Sequence, residues 1–514
     1  MQKKRNAIRL MEKVLVILLL VLGSCAKSSK TPSDTLVIPF ESMPATLDPR
    51  FSTDAYSQWM TSLLFQSLVR INRQLEPEPE AAAKIDMPDA QTYVFSLRPN
   101  LVFHNGKPIG AEDVEWSIKN YLDPAVGSPF MAAFKKIKTI KVLDQSTIKL
   151  ILDQPFAPFL VDLSLLKILP KEAGSPADPS FSKAPIGSGS FKISSFQSNE
   201  LTIERLNPLE GDVPKVRFLL VQDANTRFLK LKLGEVDLVQ NALERQVLSE
   251  VKGTKNLTLV SEPGIIYQYL ALNLRDPILK NKMVRQALAY GTDRNLIIQT
   301  LLGGYAVPTT SLLAPENTFF KKNLPQYDYN PEKAKQLLDQ AGFKDPDGEG
   351  PRSRFILTYK ISGGYEASDV AQAIRDQWKK IGIEVEIKAY EWGIFYKDLQ
   401  TGNFQVASSR IVGISDPDIY FDLFNSSRIP PEGRNRGFYQ NPKLDTLLEK
   451  GRTTTKFAER KNIYDQVQEI VAEDLPYISL WLNNNVAVFQ KGITGYEMYP
   501  NGSFDFLTKL HKSQ

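Results

Sequence analysis

The stretch Tyr93-Val94-Phe95-Ser96-Leu97-Arg98-Pro99-Asn100, continuing through Phe103-His104-Asn105-Gly106 to Ala111-Glu112-Asp113-Val114, carries the reading of the fold. Tyr93, Phe95 and Leu97 alternate along the chain, the period of a strand with one buried face. Leu101 and Phe103 repeat the alternation. Asn105-Gly106 then supplies residues that tolerate the positive φ angles of a tight hairpin turn. Gly110 precedes Ala111-Glu112-Asp113, and acids in a first turn face the positive end of the helix dipole. Val114, Ile118 and Leu122 follow on one helical face. A hairpin that hands over to an amphipathic helix predicts a mixed α/β chain.

Working outward, the same pattern recurs. Thr35–Phe40 and Thr147–Leu152 read as strands. Gly187-Ser188-Gly189 reads as a turn feeding a strand at Phe191-Lys192-Ile193. Asn330-Pro331 is an N-cap with proline at the first helical position, and Ala334, Leu337, Leu338 and Ala341 keep the helical period until Gly342 stops it. Arg354–Ile361 predicts a strand. Val370, Ala371, Ile374, Trp378 and Ile381 predict a helix ended by Gly382. Ile383, Val385, Ile387 and Ala389 alternate again. Strand, helix and strand in that order predict a crossover unit. A late helix through Ile463, Val467, Ile470 and Val471 stops near Pro476.

The N-terminus has a different grammar. Lys3, Lys4, Arg5, Arg9 and Lys13 precede the apolar run Val14–Leu22, and Leu22-Gly23-Ser24-Cys25 follows. A basic opening, a short apolar run and small residues predict a signal peptide over residues 1–24. The run has nine residues, against about 20 needed for a membrane-spanning helix. Leu22–Cys25 resembles the lipobox of bacterial lipoproteins, which implies lipidation of Cys25. An ordinary cleavage near Ser24 or Ala26, leaving a free thiol, is the alternative. Residues 25–34 are small and polar and read as a tether. The formal net charge of +5 misleads: five bases and one acid put +4 in the signal segment and leave the remainder near +1. A general nucleic-acid binder would carry a basic face, so no nucleic-acid partner is expected. The 490 residues after position 24 suggest about three structural units at roughly 150 residues each.

Motifs for chemistry fail individually. Gly187-Ser188-Gly189 opens a strand, where a dinucleotide fingerprint would open a helix. Asp345 and Asp347-Gly348 would form a calcium loop only with Phe343 and Arg354 at positions that need carboxylates. His104 and His511 are the only histidines, and neither accompanies a Gly-x-Ser-x-Gly elbow. Asp416 and Asp418 are one carboxylate pair among 58 acids and indicate nothing alone. No catalytic residue, metal site or cofactor is expected. Some of the 19 tyrosines and 27 phenylalanines could line a ligand cleft.

Taken together, several stretches resemble the extracellular solute-binding proteins of family five, the peptide/nickel/opine class that serves ABC importers. They are Thr46-Leu47-Asp48-Pro49, the Tyr93–Val114 segment, Gly187–Phe191, Gly234-Glu235-Val236-Asp237, Val284–Tyr290 with Asp293-Arg294, and Asn330–Ala334. The resemblance implies an α/β, two-lobed periplasmic-binding-protein type II fold (cluster C) with an extra small domain. It implies lobe one from residues 35–53, 175–262 and 483–514, the extra domain from 54–174, and lobe two from 263–482. The two chain crossings, near Glu262 and Asn483, would form a hinge. The implied function is a non-enzymatic binding protein, exported and held at the membrane by its lipid anchor. It would act as a monomer that captures a small, peptide or peptide-like solute and delivers it to an ABC permease. A ligand-sensing lipoprotein on the same scaffold, without transport, is the alternative. A permease and ATPase encoded beside it would favour import; a neighbouring receptor or regulator would favour sensing.

The resemblance also nominates cleft residues. Peptide binders of the family hold the peptide amino terminus with an aspartate three residues before an acidic-Pro pair. Here that pair is Asp416-Pro417 and the matching position is Gly413, so the anionic anchor is missing. Trp392 matches a cleft-lining aromatic, Arg410 ends the strand that leads to the cleft, and Asn241, Tyr267 and Trp481 fall near other cleft-facing positions. The loss of the anionic anchor together with the presence of Arg410 implies an acidic or neutral ligand, because a guanidinium can grip a carboxylate bidentately.

Overall fold

The computed structural model describes residues 31–173, 179–348 and 350–513. The signal segment, Cys25 and residues 26–30 of the tether lie outside them, as does the 174/175 boundary. Thr92–Leu97 is an inner strand of a four-stranded antiparallel sheet, flanked by Ala82–Asp86 and Thr147–Leu152, with Ile137–Asp144 at the far edge. Tyr93, Phe95 and Leu97 are buried, while Val94 and Ser96 are half-buried. The helix Ala111–Leu122 begins where the acids place it, with the Asp113 carboxylate accepting the Gly110 N–H at 2.9 Å. The strand expected around Leu101–Phe103 is reduced to one bridge between Val102 and Pro108. Gly106 turns the chain at φ +82°, Phe103 N–H donates to Lys107 O at 2.8 Å, and Pro108 has no N–H with which to extend a ladder.

The two segments read as a hairpin and a glycine turn meet. His104 Nδ1 accepts the Gly187 N–H at 3.2 Å, which leaves Nε2–H to donate to Gly189 O at 3.1 Å. A Cβ on Gly187 would stand 1.9 Å from Leu64 O, and one on Gly189 2.2 Å from Leu63 O. Both glycines are therefore set by close backbone approach to the helix Ala55–Leu64. Burial lowers the His104 pKa, so the neutral ring is spent on tying backbone together.

Thr35–Phe40 runs parallel to Lys215–Leu220, and Glu200–Arg205 and Phe191–Phe196 complete a second four-stranded sheet, the sheet of lobe one. Asp237, from the Gly-Glu-Val-Asp stretch, staples distant segments to it. Its carboxylate accepts from Val37 N–H at 2.7 Å and Thr31 Oγ1 at 2.6 Å, and pairs with Lys512 at 3.1 Å.

A seven-stranded sheet spans both lobes. Its order is Leu238–Gln240, Tyr477–Gln490, Leu257–Leu272, Val406–Ile411, Phe355–Ser362 and Ile383–Tyr390, with Ala306–Pro308 also pairing to Tyr477–Gln490. Phe355–Ser362 and Ile383–Tyr390 are parallel and joined through the helix Tyr365–Lys379, the crossover the periodicity predicts. Trp378 on that helix is fully buried, and its Nε1–H donates to Thr292 Oγ1 at 2.9 Å. Arg285, also in a recognised stretch, is buried and donates to the carbonyls of Leu279, Lys280, Asp474 and Leu475.

Leu257–Leu272 and Tyr477–Gln490 pair along nearly their whole lengths. Their register breaks between Pro263, opposite Asn484, and Ile266, opposite Asn483. One apolar cluster joins the lobe-one sheet to the small sheet: Leu36, Ile38 and Phe40 share it with Phe95, Val114 and Ile118. Lobe two has clusters on both faces of its sheet. Leu75, between the strands Val69–Ile71 and Pro77–Pro79, is 3% exposed and belongs to one of them, with Ile265, Tyr267 and Leu313.

Candidate functional site

A cavity of about 1270 Å³ lies where the lobe-one sheet, the small sheet-bearing domain and lobe two face one another. Lobe two contributes the end of the strand Val406–Ile411 and the turn Val412–Asp418. Lobe one contributes Glu41, Asn241, Asn485 and the segment Tyr499–Ser503, and the small domain contributes Tyr56, Trp59, Phe130, Lys136, Phe156 and Asp162. Tyr56 and Trp59 form an aromatic ledge, with rings 5.1 Å apart, braced by Phe40 and Phe504. Burial, and then Glu41, push the Tyr56 hydroxyl well above its ordinary pKa.

Three of the six nominated ligand residues come together here. Arg410 and Gly413 stand on the lobe-two wall and Asn241 on the opposite one. Gly413 has φ +80°, and a Cβ there would meet nothing within 4 Å, so the wall is open at the position of the missing anchor. Asn241 stitches its wall as well as lining it: its Nδ2 donates to Asn485 Oδ1 at 3.0 Å and its Oδ1 accepts Val486 N–H at 2.8 Å. Among the described residues, the exposed Arg410 guanidinium has no hydrogen-bond or ion-pair partner.

The other three lie elsewhere. Tyr267 is fully buried, stacks on Tyr269 and hydrogen-bonds Ser479 Oγ at 2.7 Å. Trp481 is buried in the cluster on the other face of the sheet. Lobe two covers this sheet on both faces, so neither side of the strand at these positions is free to face the cleft. Trp392 is 57% exposed, begins the helix Trp392–Thr401, stacks on Tyr396 at 5.5 Å and does not line the cavity.

The sequence reading missed the acidic corner of the cleft. Asp416 is gripped by Arg460 through two bonds of 2.7 and 2.9 Å, and Asp418 pairs with Arg452 at 2.9 Å. Asp162, on the short helix Phe159–Leu163, faces both from the small domain. Burial, then the charges of Asp416 and Asp418, push its carboxyl up to about 7, with Lys136 and Arg452 opposing. Burial pushes Asp418 up to about 6, with Arg452 countering and Asp416 reinforcing. Asp416 and Asp418 were visible as a pair in the sequence. Asp162 carried no signal, because nothing local to it indicates what it faces.

Comparison with known proteins accords with this geometry. The model describing bacterial extracellular solute-binding proteins, family 5 middle region, matches residues 76–430. The oligopeptide-binding protein AppA of Bacillus subtilis (strain 168) is 26% identical over 533 aligned positions, covering 97% of both chains. The structure of an ABC transporter-associated periplasmic binding protein from Helicobacter pylori in complex with the peptide STSA superposes with a TM-score of 0.73 at 27% identity. It covers 93% of this chain and 98% of that one. NikZ from Campylobacter jejuni, in complex with Ni(L-His), superposes with a TM-score of 0.75 at 27% identity over 94% of this chain and all of the other. The fold is thus the α/β, two-lobed type II (cluster C) arrangement with its extra small domain, and the chain belongs to the bacterial extracellular solute-binding proteins of family 5.

Proposed function

We propose that this protein is an exported lipoprotein, anchored through Cys25, that captures a peptide-like solute between its lobes and presents it to an ABC importer. In this reading residues 35–53, 175–262 and 483–514 form lobe one, 54–174 the extra domain and 263–482 lobe two. The observation that carries the reading is the cavity. Its volume of about 1270 Å³ exceeds the roughly 300–1,000 Å³ of sites for drug-sized ligands, which suits a solute of several residues. The register break at Pro263–Ile266 lies beside Asn483 and Asn484, which supports a hinge at the two crossings between the lobes. Turning a mostly open protein mostly closed takes about 5.5 kcal/mol of preference for the closed state, and enclosure of a ligand by three walls can supply it.

Within the cleft, Arg410 is the residue for a ligand carboxylate and Gly413 leaves room where an anionic anchor is missing. Mass spectrometry of small molecules released on denaturing the purified protein tests the reading. Peptides or peptide-like acids support it, and a released non-peptidic solute replaces the peptide assignment. With the identified solute, Arg410→Ala should weaken binding about 10- to 100-fold in calorimetry, since a charge-assisted hydrogen bond contributes about 1.5–3 kcal/mol. Unchanged affinity removes Arg410 from the site.

A further inference from the structure

The lobe-one sheet has a cleft end and a far end. Thr35–Phe40 and Lys215–Leu220 run parallel, in register from Thr35 opposite Lys215 to Phe40 opposite Leu220. Glu41, just past the first strand, lines the cavity. Thr35 therefore stands at the other end, about 20 Å away at roughly 3.3 Å per residue. The chain is pinned at that far end before the strand begins. Thr31 N–H donates to Gly234 O at 3.2 Å, and Thr31 Oγ1 donates to Asp237 at 2.6 Å. The Lys512 ammonium donates to Thr31 Oγ1, Pro32 O and Thr35 O, each at 2.8 Å. Residues 31–34, read from the sequence as part of the tether, thus belong to the fold. Thr31 is six positions after Cys25, and a chain spans at most about 3.6 Å per residue. An acylated Cys25 therefore holds the far end within roughly 20 Å of the bilayer.

The same end carries exposed apolar side chains. Leu209 is 76% exposed, and Leu229 and Leu233 are 56% exposed each. Among the described residues, every other exposed large apolar side chain lies within residues 87–165 or 296–457, outside lobe one. Topology gathers the three leucines. Leu209 stands in the turn before Lys215, where its N–H donates to Asp212 Oδ2 at 2.7 Å, and Asp212 bridges to His511, next to Lys512. The helix Ala224–Leu233 follows the cleft end of Lys215–Leu220 and runs back to Gly234, whose carbonyl takes the Thr31 N–H. Leu229 and Leu233, four apart, share one helical face. The lysines beside them are neutralised, Lys230 by Glu235 and Lys232 by Glu250. What this face offers is apolar surface rather than charge.

We propose that the Leu209 turn and the Leu229–Leu233 helix face lie on the surface of the bilayer that holds the acyl chains, so that the anchored protein rests on lipid with its cleft end turned away. The proposal rests on the lipoprotein reading of Cys25. Apolar side chains at a membrane surface bury themselves at the boundary of headgroups and acyl chains. The anchor makes this contact intramolecular, so an apolar area too small to bind a free protein suffices. Because the cleft lies at the opposite end of the strands, solute capture proceeds while the protein is seated on lipid.

The test uses the full lipidated chain in vesicles of phosphatidylethanolamine and phosphatidylglycerol that carry a headgroup-linked quencher. Acylation occupies Cys25, the only cysteine of the chain, so one engineered cysteine takes a fluorophore. Glu210→Cys, exposed beside Leu209, reports the far end, and Lys380→Cys, exposed on lobe two, is the reference. The first label should be quenched and the second should not. Adding Leu209→Ser with Leu229→Ser should lower the ratio of lipid-seated to lifted molecules roughly 10- to 100-fold, the effect of losing two half-buried leucines. Flotation with the vesicles should stay complete. Leu296→Ser, at a leucine of lobe two that is 51% exposed, should change nothing. Equal quenching of the two labels, quenching that survives the paired Leu→Ser substitutions, or an equal loss with Leu296→Ser overturns the proposal. Protein that does not float with the vesicles overturns the lipoprotein reading, and the proposal falls with it.

Discussion

The two halves of the molecule meet at a hinge and at a rim, and the two junctions are built from different material. At the hinge, Leu257–Leu272 and Tyr477–Gln490 cross together, held by backbone hydrogen bonds on both sides of a register break. Gly264 lets them approach: a Cβ there would stand 2.8 Å from Asn483 O. At the rim, Leu75, Phe156, Asp162, Arg452 and Asp418 meet by side chains and one backbone bond. A backbone ladder can twist without losing its bonds, whereas side-chain contacts across a gap are either made or lost. The first junction is therefore carried by backbone and the second by side chains.

The largest effect expected at the rim comes from its foundation. Arg460→Met leaves the Asp416 carboxylate without its bidentate partner at a site where both side chains are largely buried (6% and 12% exposed). Breaking such a pair costs about 3–5 kcal/mol, so the denaturant midpoint should fall markedly; a fall under about 1 kcal/mol would mean the turn is held otherwise. Leu75→Ala comes next. This side chain is buried among Ile265, Tyr267 and Leu313, so truncating it should cost about 2 kcal/mol and lower the denaturant midpoint; an unchanged midpoint would mean the loop adds nothing to the fold. Smallest is Arg73→Ala. Its 2.7 Å pair with Glu262 joins the extra domain to the hinge, but both side chains are more than 40% exposed. It should contribute under about 1 kcal/mol and disappear at 1 M salt; a salt-resistant effect would show the hinge is braced electrostatically.

Much of the frame was legible because its signals are local. Asn330 caps its helix through its own side chain, accepting Lys333 N–H at 2.9 Å, as the Asn-Pro pair predicts. Gly382, at φ +81°, ends the turn after the helix containing Trp378. Other recognised residues turned out to serve architecture: His104, Asp237 and Arg285 are spent on backbone groups and ion pairs inside the fold. The cleft was less legible. Tyr267 and Trp481 lie on strands of one sheet whose two faces both carry apolar clusters, so an aromatic at such a position cannot be assigned to core or cleft by alternation. Trp392 has the composition of a cleft residue but begins a helix outside the cavity.

The sequence by itself determined the class of elements, their order and the family, because periodicity, caps and turn residues act over a few positions and survive reading in one dimension. It also indicated Arg410 and Gly413, which sit beside each other on one strand end and turn. Only the tertiary structure decided which side chains share the cleft and that Asp162 confronts Asp416 and Asp418 from another domain, more than 250 positions away. Charge interactions depend on distance in space and on the water excluded between groups. Neither quantity exists until the lobes have been brought together.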